Sequence, residues 1–264
     1  MAETRILRPL NYGDLLDETF DLYKKNFLLF TGITALLLLP ITLAIYATGG
    51  EYASVLASVA LLPVTFFTMA ATTWAVSQRY LGSKATILTS YKAVLSRLLG
   101  LIVTLLIAYL LVIAGFFLLI IPGIIFSFWI VFASQVVILE AKAGRQAIGR
   151  SRRLAAGQWG RIFILGLLTG LLVFIGQMIL TAPVEALGFV MTGSPSSAAS
   201  GVLGLLYGLA SGLASAVISP IQIVAFVLLY YDIRVRKEGF DLEMLATNLG
   251  EPAPPAAPQE TKPV

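Results

Sequence analysis

The sequence predicts an all-α integral membrane protein with six transmembrane helices and further amphipathic helices at the cytoplasmic surface. Of its 264 residues, 58% are hydrophobic and 12% are charged, and the mean hydropathy is +0.90. Soluble domains are usually about 45–50% apolar and about 25% charged, and disordered chains are less hydrophobic still. Six apolar runs contain no Asp, Glu, Lys, Arg or His, and all 18 Lys and Arg residues lie on one side of the membrane that these runs define.

Each apolar run is read as a helix because a helix closes its backbone hydrogen bonds within the segment, as a bilayer requires. About 20 residues cross the roughly 30 Å of hydrocarbon. The predicted spans are 27–48, 52–77, 98–120, 124–139, 162–182 and 201–231. The fourth span is short and follows a predicted Pro-Gly turn at 121–123. The sixth is long, so we expect it to tilt, to kink at Pro220 or to project from the bilayer.

The basic residues predict the orientation of the spans. Four precede the first span, four lie between the second and third, six between the fourth and fifth, and four follow the sixth. The opposite loops, near 49–51, 122–123 and 183–200, carry none. By the positive-inside rule both termini are cytoplasmic. The first span has no signal-peptide pattern and is expected to be a retained anchor. Residues 250–264 hold five of the twelve prolines and predict a disordered cytoplasmic tail after a single membrane domain.

Three amphipathic segments precede the first, third and fifth spans. Residues 14–27 place apolar side chains at i, i+4, i+7 and i+11. Residues 84–98 repeat this spacing after a predicted N-cap at Ser83, and 145–160 repeat it weakly. We expect these helices to lie in the headgroup layer. One hypothesis is a threefold repeat of interfacial helix plus hairpin. The alternative is that the segments are linkers without common ancestry.

The chain offers few residues for chemistry. It has no Cys and no His, which excludes thiolate, imidazole and the usual zinc chemistry. We therefore predict no catalytic residue, no metal and no cofactor. The absence of ionisable residues from the spans argues against a proton-coupled transporter. Within the spans the bulkiest polar side chains are Gln135, Gln177 and Gln222. They could line a permeation path, but such amides more often form hydrogen bonds between helices.

Two further patterns predict contacts. Small residues recur every four positions in the sixth span, including Gly204, Gly208 and Gly212, and Gly166 and Gly170 form a second pair in the fifth. Such residues allow helix backbones to approach closely. We expect the two stripes to face each other within one chain, although one of them could instead form a homo-oligomer.

A basic cluster lies next to the membrane between the fourth and fifth spans. Anionic lipid headgroups bind such clusters, so these arginines are candidate contacts for anionic lipid; the alternative is a topology signal without a ligand. The cluster comprises Arg145, Arg150, Arg152, Arg153 and Arg161. Nucleic-acid binding is not expected, because the bases are spread over membrane-bound connections.

Three stretches resemble a known family. They are FDLYKKNF at 20–27, IPGIIFSFWIVFASQVVILEAKAGRQAIGRSRRLAAGQWGRIF at 121–163 and LLYYDIRVRKEGFDLEMLA at 228–246. They resemble the bacterial glycerophosphoryl diester phosphodiesterase membrane-domain family. In fused members the phosphodiesterase chemistry belongs to a separate soluble barrel, for which this chain has neither the histidines nor the length. The resemblance therefore implies a stand-alone membrane protein of the bacterial cytoplasmic (inner) membrane.

The function that we expect is non-enzymatic: membrane organisation, through binding of lipid or of a membrane-protein partner at the cytoplasmic face. The first alternative is a channel or transporter for a neutral or lipid-like solute, which requires a polar cavity that reaches the glutamines. The second is an enzyme that acts on lipids, which requires Glu140, Asp232 and Asp241 to converge. Glu140 at the end of the fourth span, and Asp232 with Arg234 and Arg236 at the end of the sixth, are also expected to pair at the cytoplasmic surface and to hold the helix ends together.

Overall fold

The structure is a computed structural model and describes residues 9–48, 51–193, 201–240 and 242. Within these residues it contains ten α-helices and no strand. In chain order the helices are α1 (Tyr12–Lys25), α2 (Phe27–Thr48), α3 (Glu51–Tyr80), α4 (Ile87–Leu95), α5 (Leu98–Leu118), α6 (Ile120–Ile130), α7 (Ala133–Glu140), α8 (Arg145–Ala155), α9 (Trp159–Thr192) and α10 (Val202–Glu238). The predicted tail at 250–264 lies outside the described residues.

Five helical segments are long and apolar enough to cross a membrane, which makes this an all-helical, multi-pass membrane protein. They are Phe27–Tyr46, Leu98–Leu118, Ile120–Glu140, Trp159–Met191 and Val202–Glu238. The predicted second span, 52–77, lies in α3 and is not among the five. A total of six spans therefore remains a prediction.

The fifth predicted span is too short in the sequence analysis. Its helix, α9, continues through Pro183 and ends at Thr192, so ten residues that we assigned to a loop are helical. Proline is tolerated in helices of membrane proteins, where neighbouring groups satisfy the freed carbonyl. The end of α9 is instead set by Gly193, which adopts φ +68° and donates its backbone N–H to the carbonyl of Phe189.

The turn between α5 and α6 also differs from the prediction. The chain reverses at Leu119, which is extended, whereas Pro122 lies in the first turn of α6. A proline there costs no helical hydrogen bond. The two helices pack tightly, since a Cβ added to Gly115 would lie 2.9 Å from the Cα of Gly123. The predicted fourth span is helical on both sides of a break at 131–132.

The three amphipathic segments are helical. In α1 the side chain of Asn11 accepts from the N–H of Asp14, and Asp14 accepts from the N–H of Asn11. Helix α4 begins later than predicted, and its N-cap is Thr86 rather than Ser83. Helix α8 ends at Ala155, before Gly157 with φ +72°. The short helices α1, α4 and α8 each precede a long helix, but the second unit continues as two short helices, α6 and α7, so the threefold repeat remains a hypothesis.

The main core lies at the end of the molecule where the short helices meet. It combines buried residues of α1, α4, α7 and α8 with the adjoining ends of α2, α3, α5, α9 and α10. We call the surface formed by these elements the basic face, because the described residues of all four basic segments of the sequence belong to it. Away from it, α5 and α9 expose large apolar side chains such as Phe117 and Val190, as expected for helices surrounded by lipid.

Tyrosine hydroxyls attach two of the short helices to backbones of longer ones. Tyr23 of α1 donates to the carbonyl of Val217 in α10. Pro220 lacks the N–H that would bond the carbonyl of Ala216, the residue before Val217, so this part of α10 lacks one helical hydrogen bond. Tyr91 of α4 donates to the carbonyl of Ile33 in α2 at 2.6 Å. These bonds hold α1 and α4 against the bundle.

Replacing Tyr23 by phenylalanine is expected to destabilise the protein by about 1 kcal/mol, because one hydrogen bond to a partly buried carbonyl is lost. In detergent this corresponds to a Tm lower by about 2–4 °C for a chain of this size. Tyr12→Phe is the matched control, since Tyr12 belongs to the same helix and is exposed. Equal Tm values for the two variants would contradict this role of Tyr23.

Candidate functional site at the basic face

A cluster of charged side chains joins α7, α8 and α10. Glu140, the last residue of α7, accepts from Arg150 Nε at 2.9 Å and from the Tyr230 hydroxyl at 2.7 Å. Arg150 also donates through Nη2 to Glu238 Oε2 at 2.7 Å, and Arg234 Nε lies 3.2 Å from the same carboxylate oxygen. Burial alone would lower the pKa of Arg150, but hydrogen bonds to Glu238 and Glu140 and the attraction of their charges raise it. Arg150 is therefore a structural cation.

A second cluster surrounds Asp232, whose side chain has no exposed surface. Its Oδ2 lies 3.0 Å from Nε of Arg161 in α9 and 3.0 Å from Nε of Arg236 in α10. Its Oδ1 accepts from the backbone N–H of Leu10 at 2.7 Å. The Leu10 carbonyl in turn accepts from both arginines. Asp232 thus fixes the segment before α1 to α9 and α10.

The predicted pairing of acids with bases is found for Glu140 and Asp232, with one difference. Arg236 pairs with Asp232 as expected, whereas Arg234 pairs with Glu238, one helical turn further along α10. Sequence analysis did not single out Glu238. The spacing of four residues between Arg234 and Glu238, which places both side chains on one face of a helix, could have indicated this pair.

The structure divides the five candidate arginines into two groups. Arg150 and Arg161 bind carboxylates within the protein. Arg145, Arg152 and Arg153 are exposed on α8. The guanidinium of Arg152 lies 4.0 Å from the ring centroid of Trp129 in α6, a cation–π arrangement. The three exposed arginines are the part of the cluster that a ligand can reach.

The three glutamines occupy different surroundings. Gln135 is buried in α7, where its Oε1 accepts from the hydroxyl of Ser134 at 2.9 Å. Gln177 of α9 donates to the hydroxyl of Ser215 in α10 at 3.3 Å. The Gln222 amide lies beside Gly170, across the same pair of helices. Two of the three amides therefore lie where α9 meets α10.

The small-residue stripes do not face each other as predicted. Gly208 and Gly212 of α10 lie against α2, where an added Cβ would come within 2.6 Å of Tyr46 and 2.7 Å of Thr42, respectively. Gly204 lies on the same stripe and is buried. Gly166 and Gly170 face other residues of α10: Phe226 and Gln222, respectively. Helix α10 is thus packed between α2 and α9.

The alternative of an enzyme that acts on lipids requires three acids to converge, but the two that the structure describes belong to different ion-pair clusters. Glu140 and Asp232 bind different arginines, and Asp241 lies outside the described residues. Within the described ranges no group of three His, Cys, Asp or Glu residues could hold a metal ion.

Comparisons of the chain with models of protein families, with curated proteins and with solved structures gave no match. The family resemblance therefore remains a prediction based on three sequence stretches. The function has to be argued from the arrangement of the basic face and of the helices behind it.

Proposed function

We propose that this protein is a six-span, non-enzymatic protein of a bacterial inner membrane whose basic face binds anionic lipid headgroups. The additional span, which would bring the five candidate spans to six, would be α3, whose neighbours α2 and α10 are candidate spans. Both termini would be cytoplasmic, because all Lys and Arg residues lie on one side of the proposed spans. The shared core of α1, α4, α8 and the end of α10 supports this topology, since it brings the basic segments to one end of the molecule.

The observation that carries the lipid-binding proposal is the exposure of Arg145, Arg152 and Arg153 on one short helix. Each cation near an anionic surface contributes about 1 kcal/mol to its attraction. Arg152 stacks on Trp129, a residue of the candidate span Ile120–Glu140. This contact supports a position for α8 along the border between headgroups and hydrocarbon, where tryptophan is common.

Changing Arg145, Arg152 and Arg153 together to glutamine is expected to lower the amount of anionic phospholipid that remains on the purified protein. Native mass spectrometry of protein released from mild detergent measures this directly. With three cations removed, the affinity for anionic lipid is expected to fall by about 3 kcal/mol, or on the order of a hundredfold.

The matched control changes the exposed Lys24, Lys25 and Lys84 to glutamine, which removes the same charge from α1 and from the segment before α4. We expect the control to retain more anionic lipid than the α8 variant. Equal loss from both variants would reduce the cluster to a topology signal. If a second protein copurifies with the wild type and with the control but not with the α8 variant, the basic face binds a membrane-protein partner instead.

The channel alternative has less support from the structure. It needs a polar cavity that reaches Gln135, Gln177 or Gln222. The cavity of about 530 Å³ between α2, α3 and α5 is lined by aliphatic and aromatic side chains, and none of these glutamines belongs to its lining. Two of them pack between α9 and α10 instead.

A further inference from the structure

The cavity between α5 and the α2–α3 pair is an apolar groove that opens sideways from the helix bundle. Six of its lining residues belong to α5, four to α3 and one to α2. Ile102 and Leu106 of α5 are each more than half exposed, so the groove is open along this helix. The rings of Phe66 in α3 and Tyr109 in α5 have centroids 5.7 Å apart, which brings the two helices together at one end of the groove.

The length of the groove matches one leaflet of a bilayer. Along α5 its lining extends from Leu98 to Tyr109, which is about 16 Å at 1.5 Å per residue. The hydrocarbon core of a bilayer is about 30 Å thick, so one leaflet spans about half of that. Leu98 is the first residue of α5 and lies at the basic face, whereas Tyr109 lies near the middle of the helix. The groove thus runs from the headgroup level toward the bilayer midplane.

The chain is basic next to the end of the groove that is nearest to the basic face. Arg97 directly precedes Leu98, and the exposed Lys92 lies in the last turn of α4. No Asp or Glu occurs in the sequence between Glu51 and Glu140. Charge in this segment is therefore positive throughout, which complements a phosphate group.

From this combination we infer that the groove is a binding site for one anionic phospholipid of the leaflet at the basic face. One acyl chain lies along α5 against Ile102 and Leu106, and the phosphate lies beside Arg97 and Lys92. Within a membrane, an apolar groove that opens sideways is exposed to the acyl chains of lipids. The basic residues select a negative headgroup. The inference rests on the proposed contact of the basic face with lipid but uses a site separate from α8.

Native mass spectrometry with defined lipids tests this site. The probes are palmitoyl-oleoyl phosphatidylglycerol and the corresponding phosphatidylcholine, each added to delipidated protein. In addition to lipid at α8, the wild type is expected to hold one lipid in the groove and to prefer phosphatidylglycerol to phosphatidylcholine there. Ile102→Trp, which fills the groove, is expected to lower its affinity on the order of tenfold. The double variant Arg97→Gln and Lys92→Gln is expected to lose the preference for the anionic headgroup.

Ile113→Trp is the matched control, because Ile113 is an exposed isoleucine of the same helix outside the groove. This control is expected to keep the groove lipid. The α8 triple variant is also expected to keep the groove lipid and to lose only the lipid that is bound at α8. Lipid retained by Ile102→Trp but lost from the α8 variant would overturn the groove site and leave the α8 proposal standing. If Ile102→Trp loses one lipid and the α8 variant loses none, the groove site is supported and the α8 proposal is contradicted. An unchanged Tm for Ile102→Trp excludes unfolding as the cause.

Photochemical labelling tests the site in the unmodified protein. Vesicles that contain phosphatidylglycerol with a diazirine on one acyl chain would label peptides that include 63–67 and 98–109. Enrichment of these peptides over the equally apolar and exposed residues of α9 is the expected result. Uniform labelling of all exposed apolar helices would show only bulk contact with lipid and would overturn the inference.

Discussion

Replacing Asp232 by alanine is expected to cause the largest loss of stability among single substitutions at the basic face. The side chain of Asp232 has no exposed surface and serves two arginines and the N–H of Leu10 at once. Without it, the guanidinium of Arg161, whose side chain is only 12% exposed, would be buried without an acid. Breaking a buried ion pair from one side costs about 3–5 kcal/mol, which lowers the Tm of a chain of this size by on the order of 10 °C.

Thermal melting in detergent, followed by circular dichroism, measures this effect. Asp232→Asn is an informative intermediate, because its amide oxygen can still accept from Leu10 while the charge is lost. Glu238→Gln is the control at the neighbouring cluster, where the carboxylate is 27% exposed and water can replace part of the interaction. We expect the loss to decrease in the order Ala, Asn, control. A Tm for Asp232→Ala equal to that of the wild type would contradict the role assigned to this carboxylate.

The second large effect is expected for Gly115→Ala, at the close contact of α5 with α6. An added Cβ would lie 2.6 Å from Phe126 and 2.9 Å from the Cα of Gly123. The aromatic ring can move, but the backbone of Gly123 can do so only if the two helices separate. Overpacking of this kind costs about 1–3 kcal/mol, and it opposes the gain of about 1 kcal/mol that alanine brings over glycine in a helix.

Gly160→Ala provides the matched comparison, because nothing lies within 4 Å of a Cβ added at that helical position of α9. This control is expected to keep or slightly raise the Tm, whereas Gly115→Ala lowers it by several degrees. Equal Tm values for the two variants would mean that α5 and α6 are less tightly packed than the structure indicates.

Much of the fold follows from the sequence because apolar runs and charge placement are local properties. A run such as 98–118 needs a helix whatever it packs against, and the periodicity of 14–27 is visible before any partner is known. Boundaries were predicted less well. The sequence analysis ended the fifth span before Pro183, but the nine residues after this proline contain only one charged side chain, Glu185, and remain helical until Gly193 ends the helix.

Contacts between distant segments could not be predicted in the same way. Five arginines formed one cluster in the sequence, and nothing nearby distinguished Arg150 from Arg153. The distinction comes from the two acids that bind Arg150 in the fold, Glu140 and Glu238, of which Glu238 lies 88 residues further along the chain. Similarly, the spacing of Gly208 and Gly212 indicates a close helix partner without identifying it as α2. The charged face as a whole was predictable, whereas the division of its residues between internal pairs and free cations was not.

The bond between Leu10 and Asp232 has a consequence for the synthesis of the protein. The two residues are 222 positions apart, so at about 5–20 residues per second the segment around Leu10 leaves the ribosome roughly 10–45 s before its partner exists. During this interval the spans enter the bilayer one after another while the backbone N–H of Leu10 lacks its acceptor, Asp232. Closure of the basic face is therefore a late assembly step, and a ribosome arrested before α10 would hold inserted helices whose ends at this face are still accessible to chaperones and proteases.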